Sequence, residues 1–386
     1  MYEQASISDI ADVVTGKTPS TKDSGLWEPD IPFIAPKDLQ TTKHIATTDR
    51  HVSNAVKDRY SKQVVPAGSV CVSCIGNLGY VGVTEVTSLT NQQINTIVPN
   101  DPCDSDYLYY VMRWLWPYFK HLEGQSTTLS IINKSQFKRT SIPWPNQRLR
   151  QRISDILNRF DDMIELNLRT NDYLAELGKM IWAQTAKQAA KTVKIAEVAA
   201  DIVTGKTPST KKPDNYGEEY PFITIPDMHS AVWLCSTERC LSEVGNSSQP
   251  KKLVQRGSIL VSCIATVGLV GIVQKPSHFN QQINAVIPAN EGDEFYLYYA
   301  MHSIKQELLG IGATGSATLN VNKGAFSNIE IPWPERSAMD TYVRTVEPLF
   351  KAIEANTLES LRLQELRDTL LPKLMSGEID VSKVEI

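Results

Sequence analysis

Positive charge in excess is the first thing this chain lacks. Its 386 residues carry 39 Lys and Arg against 43 Asp and Glu, for a formal net charge of −4. Most of the affinity of a stand-alone nucleic-acid binder comes from neutralising phosphates, so such a protein wants a basic surface. Any nucleic acid held here needs local basic patches or a more basic partner. Six cysteines are too few and too scattered for a disulfide framework. No apolar run approaches the roughly 18 residues of a membrane-spanning helix. Met1-Tyr-Glu-Gln-Ala5 has neither the basic start nor the apolar core of a secretory signal, so a cytoplasmic location is expected. Catalytic motifs are missing too: there is no Gly-x-Gly-x-x-Gly, His-Glu-x-x-His, Gly-x-Ser-x-Gly or Asn-Pro-Pro-aromatic segment. The six histidines form no pair at metal-ligand spacing.

What the chain does have is a second copy of itself. Thr15-Gly-Lys-Thr-Pro-Ser-Thr21 returns as Thr204–Thr210, a displacement of 204 − 15 = 189 residues. At the same displacement Val72-Ser-Cys-Ile75 returns as Val261–Ile264, Asn91-Gln-Gln-Ile-Asn95 as Asn280–Asn284, Tyr107-Leu-Tyr-Tyr110 as Tyr296–Tyr299, and Ile142-Pro-Trp-Pro145 as Ile331–Pro334. A unit this long is no solenoid repeat, whose period runs about 20–50 residues. It is a duplicated domain pair. The duplication also sharpens the missing chemistry, because no histidine recurs at the offset. Cys71-Val-Ser-Cys74 meets Leu260-Val-Ser-Cys263, so half of a would-be zinc knuckle is lost in the second copy and the cysteines read as buried strand residues. Neither metal nor cofactor is expected.

Each copy has two parts. The first is rich in β-branched residues, Gly and Pro, with strands expected at Ile31–Ile34, Ser69–Ile75, Tyr80–Val86 and Ile94–Val98 and a helix over Asp106–Trp116. Ile142-Pro-Trp-Pro145 ends it, since two prolines in four residues suit neither a helix nor a central strand. The second part is helical. Ile153, Ile156, Phe160, Met163, Asn167, Thr170, Leu174, Leu177 and Ile181 advance by threes and fours, a heptad seam. Tyr342, Leu349, Ile353, Asn356, Leu363, Leu366 and Leu370 repeat it, with Pro372 expected to stop that helix. The reading is a mixed α/β (α+β) protein. Globular domains occupy 1–145 and 191–334. Long helices occupy 146–190 and, with a tail, 335–386. The helices are expected to pair as an antiparallel coiled coil about a pseudo-two-fold axis, with Asn167 and Asn356 meeting near that axis and setting register through a shared hydrogen bond.

Gly16-Lys17-Thr18 resembles the end of a nucleotide-binding loop. The glycine that pattern needs five residues earlier is Ala11, or Ala200 in the second copy, and Pro19 keeps Thr18 out of helical conformation. ATP binding is therefore excluded, and the segment reads as a loop with exposed donors. The candidate DNA-binding residues are Lys17, Thr18, Ser20, Lys22, Lys37, Asn77, Asn91, Gln92 and Gln125 in copy one. In copy two they are Lys206, Thr207, Ser209, Lys211, Thr266, Asn280, Gln281 and Thr314. Asn and Gln can offer a donor and an acceptor together to an adenine edge; an identical triplet in both copies can equally serve the loop backbone. Residues that differ between copies are the better base readers: Gly76-Asn77-Leu78 faces Ala265-Thr266-Val267, Lys37 faces Pro226, and Gln125-Ser126-Thr127 faces Thr314-Gly315-Ser316.

The Gly-Lys-Thr-Pro-Ser loop, the Gly68-Ser69-Val70 lead into Val72–Ile75, the Asn91-Gln92-Gln93 segment and Ile142–Pro145 occur in that order twice, followed by heptad helices and the tail Leu370–Ile379. Together they resemble the specificity (S) subunits of type I restriction-modification systems over nearly the whole chain. The resemblance implies two target-recognition domains, each reading half of a bipartite double-stranded DNA sequence. It implies a helical spacer that docks modification (M) subunits, which methylate adenine, and restriction (R) subunits that join them. The chain itself would be a non-catalytic component of that complex. The competing readings are a self-contained DNA-modifying enzyme with diverged motifs and a scaffold that binds no DNA.

Overall fold

The computed structural model describes residues 2–40, 42–76, 78–115, 117–119, 131–229, 232–313 and 319–382. The chain packs as two compact units, residues 1–165 with 362–386, and residues 166–361. Each unit combines one globular part with a stretch of both long helices.

In the first unit a five-stranded sheet runs in the spatial order Ala11–Thr15, Ile94–Pro99, Val70–Ser73, Val81–Thr84, His44–Ile45; the first four are antiparallel and the last pair is parallel. Both faces of its middle are covered, so Val70–Ser73 is buried throughout rather than alternating. Val70, Val72, Val81 and Val83 pack on Tyr107, Tyr110 and Val111 of the helix Ser105–Trp114. Cys71 and Ile94 face the other way, toward Ile34, Leu39 and Ile45. A smaller sheet of His51–Val52, Ile31–Ile34, Ser88–Thr90 and Val64–Val65 lies on that side. Cys71 and Cys74 lie in different hydrophobic clusters on opposite sides of the sheet, so the two thiols do not converge as a knuckle requires, and burial pushes them up to about 12 and about 11.

The second unit repeats the plan. Its main sheet runs Ala199–Thr204, Ile283–Pro288, Ile259–Ser262, Val270–Val273, Trp233–Leu234. Ile142–Pro145 and its copy do enter strands, Ser141–Pro143 and Glu330–Trp333, but only in two-stranded ribbons with Gln4–Ser6 and Lys191–Lys194, where proline is tolerated. In both units a buried tyrosine fixes this exit: Tyr107 donates to the Pro143 carbonyl at 2.9 Å and Tyr296 to that of Pro332 at 2.8 Å.

The long helices span Gln147–Lys187 and Arg336–Ser376, 41 residues each. The second runs through Pro372 instead of stopping there. Leu371, Leu374 and Met375 are buried in the first unit's core, and that burial outweighs the missing backbone bond. Gly377, at φ +77°, follows the last turn. No described helix is long and apolar enough to cross a membrane.

Candidate nucleic-acid interface

Strand Ala11–Thr15 delivers the Gly-Lys-Thr-Pro-Ser loop to one end of the main sheet. Gly16 donates to the Ile94 carbonyl at 3.1 Å and Lys17 to that of Thr90 at 2.8 Å. A β-carbon at Gly16 would sit 2.2 Å from the Asn91 carbonyl, so only glycine lets the two backbones meet. Gly205 and Lys206 repeat these bonds, to Ile283 at 3.1 Å and Phe279 at 3.0 Å. Beyond the glycine, Lys17, Ser20 and Lys22 are exposed, as are Lys206, Ser209 and Lys211. The strand ends in an irregular loop rather than the helix a nucleotide-binding loop would open.

The three residues of the Asn-Gln-Gln segment divide their work. Asn91 is 8% exposed, and its amide accepts from the Gln93 backbone at 2.9 Å and donates to the Gln93 side chain at 3.0 Å. Gln93 in turn donates to the Ile75 carbonyl at 3.4 Å, and Cys74 donates to the Gln93 carbonyl at 2.7 Å. Asn280 and Gln282 repeat the internal pair at 3.0 and 3.1 Å. Both amide ends of Asn91 and Asn280 are thus committed inside the loop. Gln92 and Gln281 are exposed, and each accepts a hydroxyl bond of 2.5 Å, from Thr18 and Thr207 respectively.

A third loop joins these two. Ile75 bridges to Ile131, and Ile132 donates to the Cys74 carbonyl at 2.9 Å; in the second unit Ile264 bridges to Asn320, and Val321 donates to Cys263 at 2.9 Å. The positions that differ between copies therefore lie beside positions that do not. Gly76 has φ +79° and its counterpart Ala265 has φ +63°, a conformation an alanine adopts under strain. Thr266, next to it, is exposed. Lys37 is on the surface, paired with Asp49 at 2.5 Å, which raises the lysine's pKa. Asn77, Gln125 and Thr314 lie outside the described residues.

On the helices the expected contact line holds in part: Ile153 and Asn167 are buried, Ile156 packs against the first unit's core, and Leu174 and Ile181 pack against the second's. Ile153, Leu157, Ile164, Asn167 and Gly178 are buried, whereas Met163 and Leu177 are each 42% exposed. At Leu157, Ile164 and Gly178 the buried position lies one residue, about 100°, around from the expected Ile156, Met163 and Leu177. Asn167 and Asn356 do not bond to each other. Asn167 donates to Glu359 at 2.9 Å and Asn356 donates to Asn171 at 2.9 Å. Rising numbers on one helix meet falling numbers on the other, so the segments within 166–361 run antiparallel. The register is displaced by three to four residues, about one turn, from the one that would join Asn167 to Asn356. What periodicity missed is an exposed apolar line on the first helix, in which Leu177 of the expected seam joins Leu166, Tyr173 and Met180: Leu166, Tyr173, Leu177 and Met180 are 57%, 78%, 42% and 57% exposed. Their spacing of seven, four and three was the available signal.

The family model for the type I restriction modification DNA specificity domain matches residues 1–176 and again 188–363. The HindI type I restriction enzyme specificity subunit of Haemophilus influenzae is 30% identical, over 91% of this chain and 95% of its own length. The MjaIX specificity subunit of Methanocaldococcus jannaschii is 25% identical over 99% of this chain and 94% of its own. The crystal structure of an S subunit from M. genitalium shares the fold, with a TM-score of 0.57 at 15% identity over 99% of this chain and 97% of that one. The chain belongs to the type I restriction-modification DNA specificity family and is a specificity subunit, the DNA-recognising and non-catalytic component of such a system.

Proposed function

We propose that each globular part reads one half of a bipartite target on double-stranded DNA, in the cytoplasm, within a complex that includes M and R subunits. The observation carrying this reading is the loop cluster at the end of each main sheet. It is built twice from the same backbone bonds, yet it holds Gly76-Asn77-Leu78 in one unit and Ala265-Thr266-Val267 in the other. Shared positions hold the loops; differing positions discriminate bases. Asn77, Thr266, Gln125 and Thr314 are the readers in this account. Lys17, Lys22, Lys206 and Lys211 neutralise phosphates, and Asn91 and Asn280 support the loop.

Leu166, Tyr173, Leu177 and Met180 form the M-subunit docking line. An exposed apolar stripe at heptad spacing suits one helix of a partner. A more basic partner would also supply the phosphate contacts that a chain of net charge −4 lacks. The test is selection from random duplex DNA by the chain with its M subunits. Two specific half-sites about 10 bp apart, centre to centre, are expected. A contiguous target, or no enrichment, would refute the reading. Tyr173→Glu should prevent M subunits from co-purifying while leaving the chain folded.

A further inference from the structure

The Asn-Gln-Gln segment exposes one glutamine per copy, and it is oriented the same way both times. The Thr18 hydroxyl donates to Gln92 Oε1 and the Thr207 hydroxyl to Gln281 Oε1, each at 2.5 Å. Among the described residues Nε2 of neither glutamine has a partner. A glutamine that reads adenine needs both ends of its amide, Oε1 for the N6 donor and Nε2 for the N7 acceptor. Here the threonine takes one of the two lone pairs of Oε1 and orients the amide, so that Nε2, which can only donate, is the end left without a partner. Phosphate oxygens only accept, so the surviving group matches the DNA backbone.

Identity between the copies points the same way. Residues 16–20 and 205–209 have the same sequence and the same alternation of buried and exposed positions. Both glycines are pinned against the segment that carries the glutamine, where a β-carbon would lie 2.2 Å from the Asn91 carbonyl and 2.1 Å from that of Asn280. The threonine and the glutamine are thus held together by backbone, not by side-chain chance. A group built alike in two domains that read different half-sites carries no sequence information.

Resting on the proposed reading of a bipartite target, we propose that Gln92 and Gln281 each donate an amide N–H to one DNA phosphate per half-site, oriented by Thr18 and Thr207, and read no base. They fix how each recognition loop sits on its half-site.

The experiment uses the chain complexed with its M subunits, the target found by selection, and duplexes carrying one methylphosphonate at each backbone position in turn. Wild type should lose about tenfold in affinity at one phosphate in each half-site, the scale of a hydrogen bond to a charged group. Gln92→Ala should lose about tenfold on unmodified DNA and erase the methylphosphonate penalty in one half-site; Gln281→Ala should erase the other. Gln92→Glu, nearly the same shape, should bind more weakly than Gln92→Ala because it sets a carboxylate against the phosphate. Thr18→Val should weaken all sequences a few-fold by freeing the amide to turn. The selected sequence should stay the same in every variant. A changed base preference in Gln92→Ala, or a penalty pattern identical to wild type, would overturn the proposal alone. If the wild-type complex selects no bipartite target, the broader reading falls first and takes this one with it.

Discussion

Where helix meets globular part, the first unit places Tyr110 against Asp161, which pairs with Arg367; the second unit places Tyr299 at the equivalent position beside Phe350 and Gly178. Tyr110 donates to Asp161 at 2.6 Å, Asp161 pairs with Arg367 at 2.5 Å, and Lys43 pairs with Asp106 at 2.6 Å. In the second unit Phe295 replaces Asp106 and stacks on Phe350 at 4.7 Å, while Tyr299 donates to the Ala175 carbonyl at 2.7 Å. Gly178 stands where the other helix has Arg367, because a β-carbon there would come within 2.5 Å of the Tyr299 hydroxyl. One backbone plan is therefore held by a charged network in one unit and by aromatic packing in the other. The two differ in how they fail. A buried ion network fails when one member is lost, whereas an apolar junction fails in proportion to the volume removed.

The largest effect should come from breaking the network on one side only. Arg367→Met strands Asp161, whose side chain is 12% exposed, and should cost about 3–5 kcal/mol in urea unfolding. Replacing both members with the second unit's residues, Asp161→Phe with Arg367→Gly, should cost less than that single change. A cost under about 1 kcal/mol for Arg367→Met would mean that the pair behaves as a surface bridge. Phe350→Ala should also cost about 3–5 kcal/mol, through the cavity it leaves.

A smaller loss is expected from Gly178→Ala, about 1–3 kcal/mol from overpacking on Tyr299, although alanine is the better helix former. Tyr299→Phe in the same chain should recover part of it by removing the hydroxyl that clashes. If Gly178→Ala stabilises the protein, the contact is not tight and the comparison loses this element.

Acid should separate the units as well. His278 is buried in the second unit, where the first has Leu89, and burial lowers its pKa to about 4. The unfolded chain takes up this proton near pH 6.5 and the folded chain only near 4. The stability tied to a neutral His278 is therefore complete above about pH 6.5 and declines as pH falls toward 4, by about 1–3 kcal/mol. Thermal unfolding from pH 7 to 4.5 should show it, and His278→Leu should flatten the slope. The smallest effect is at the recognition loop: Ala265→Gly should stabilise by about 1 kcal/mol, and Gly76→Ala should destabilise by a similar amount, because both positions have positive φ.

These contrasts show what the sequence could and could not reveal. Ile31–Ile34, Val70–Ser73, Val81–Thr84 and Ile94–Pro99 were legible because β-branched runs ended at Gly and Pro. The long helices were legible from apolar spacing, but their seam only in part. Asp161, Asn171 and Gly178 are polar or bare positions on the true contact face, and the more apolar line beside it is exposed. Pro372 misled because a local rule met a buried core. Of the candidate site, the repeated loops were legible as repeats. That Asn91 supports the loop while Gln92 faces outward depends on hydrogen bonds between segments some 75 residues apart, which no local pattern encodes.

If matching loops hold the fold and differing loops read bases, moving the differing residues should move the target. Exchanging Ala265-Thr266-Val267 for the Gly-Asn-Leu of the first unit, and repeating the random-DNA selection with M subunits, tests it most directly. A changed preference in one half-site is expected, worth about 1–3 kcal/mol for the affected base pair, with the other half-site and the spacer unchanged. An unchanged target, or a change in both half-sites, would contradict it.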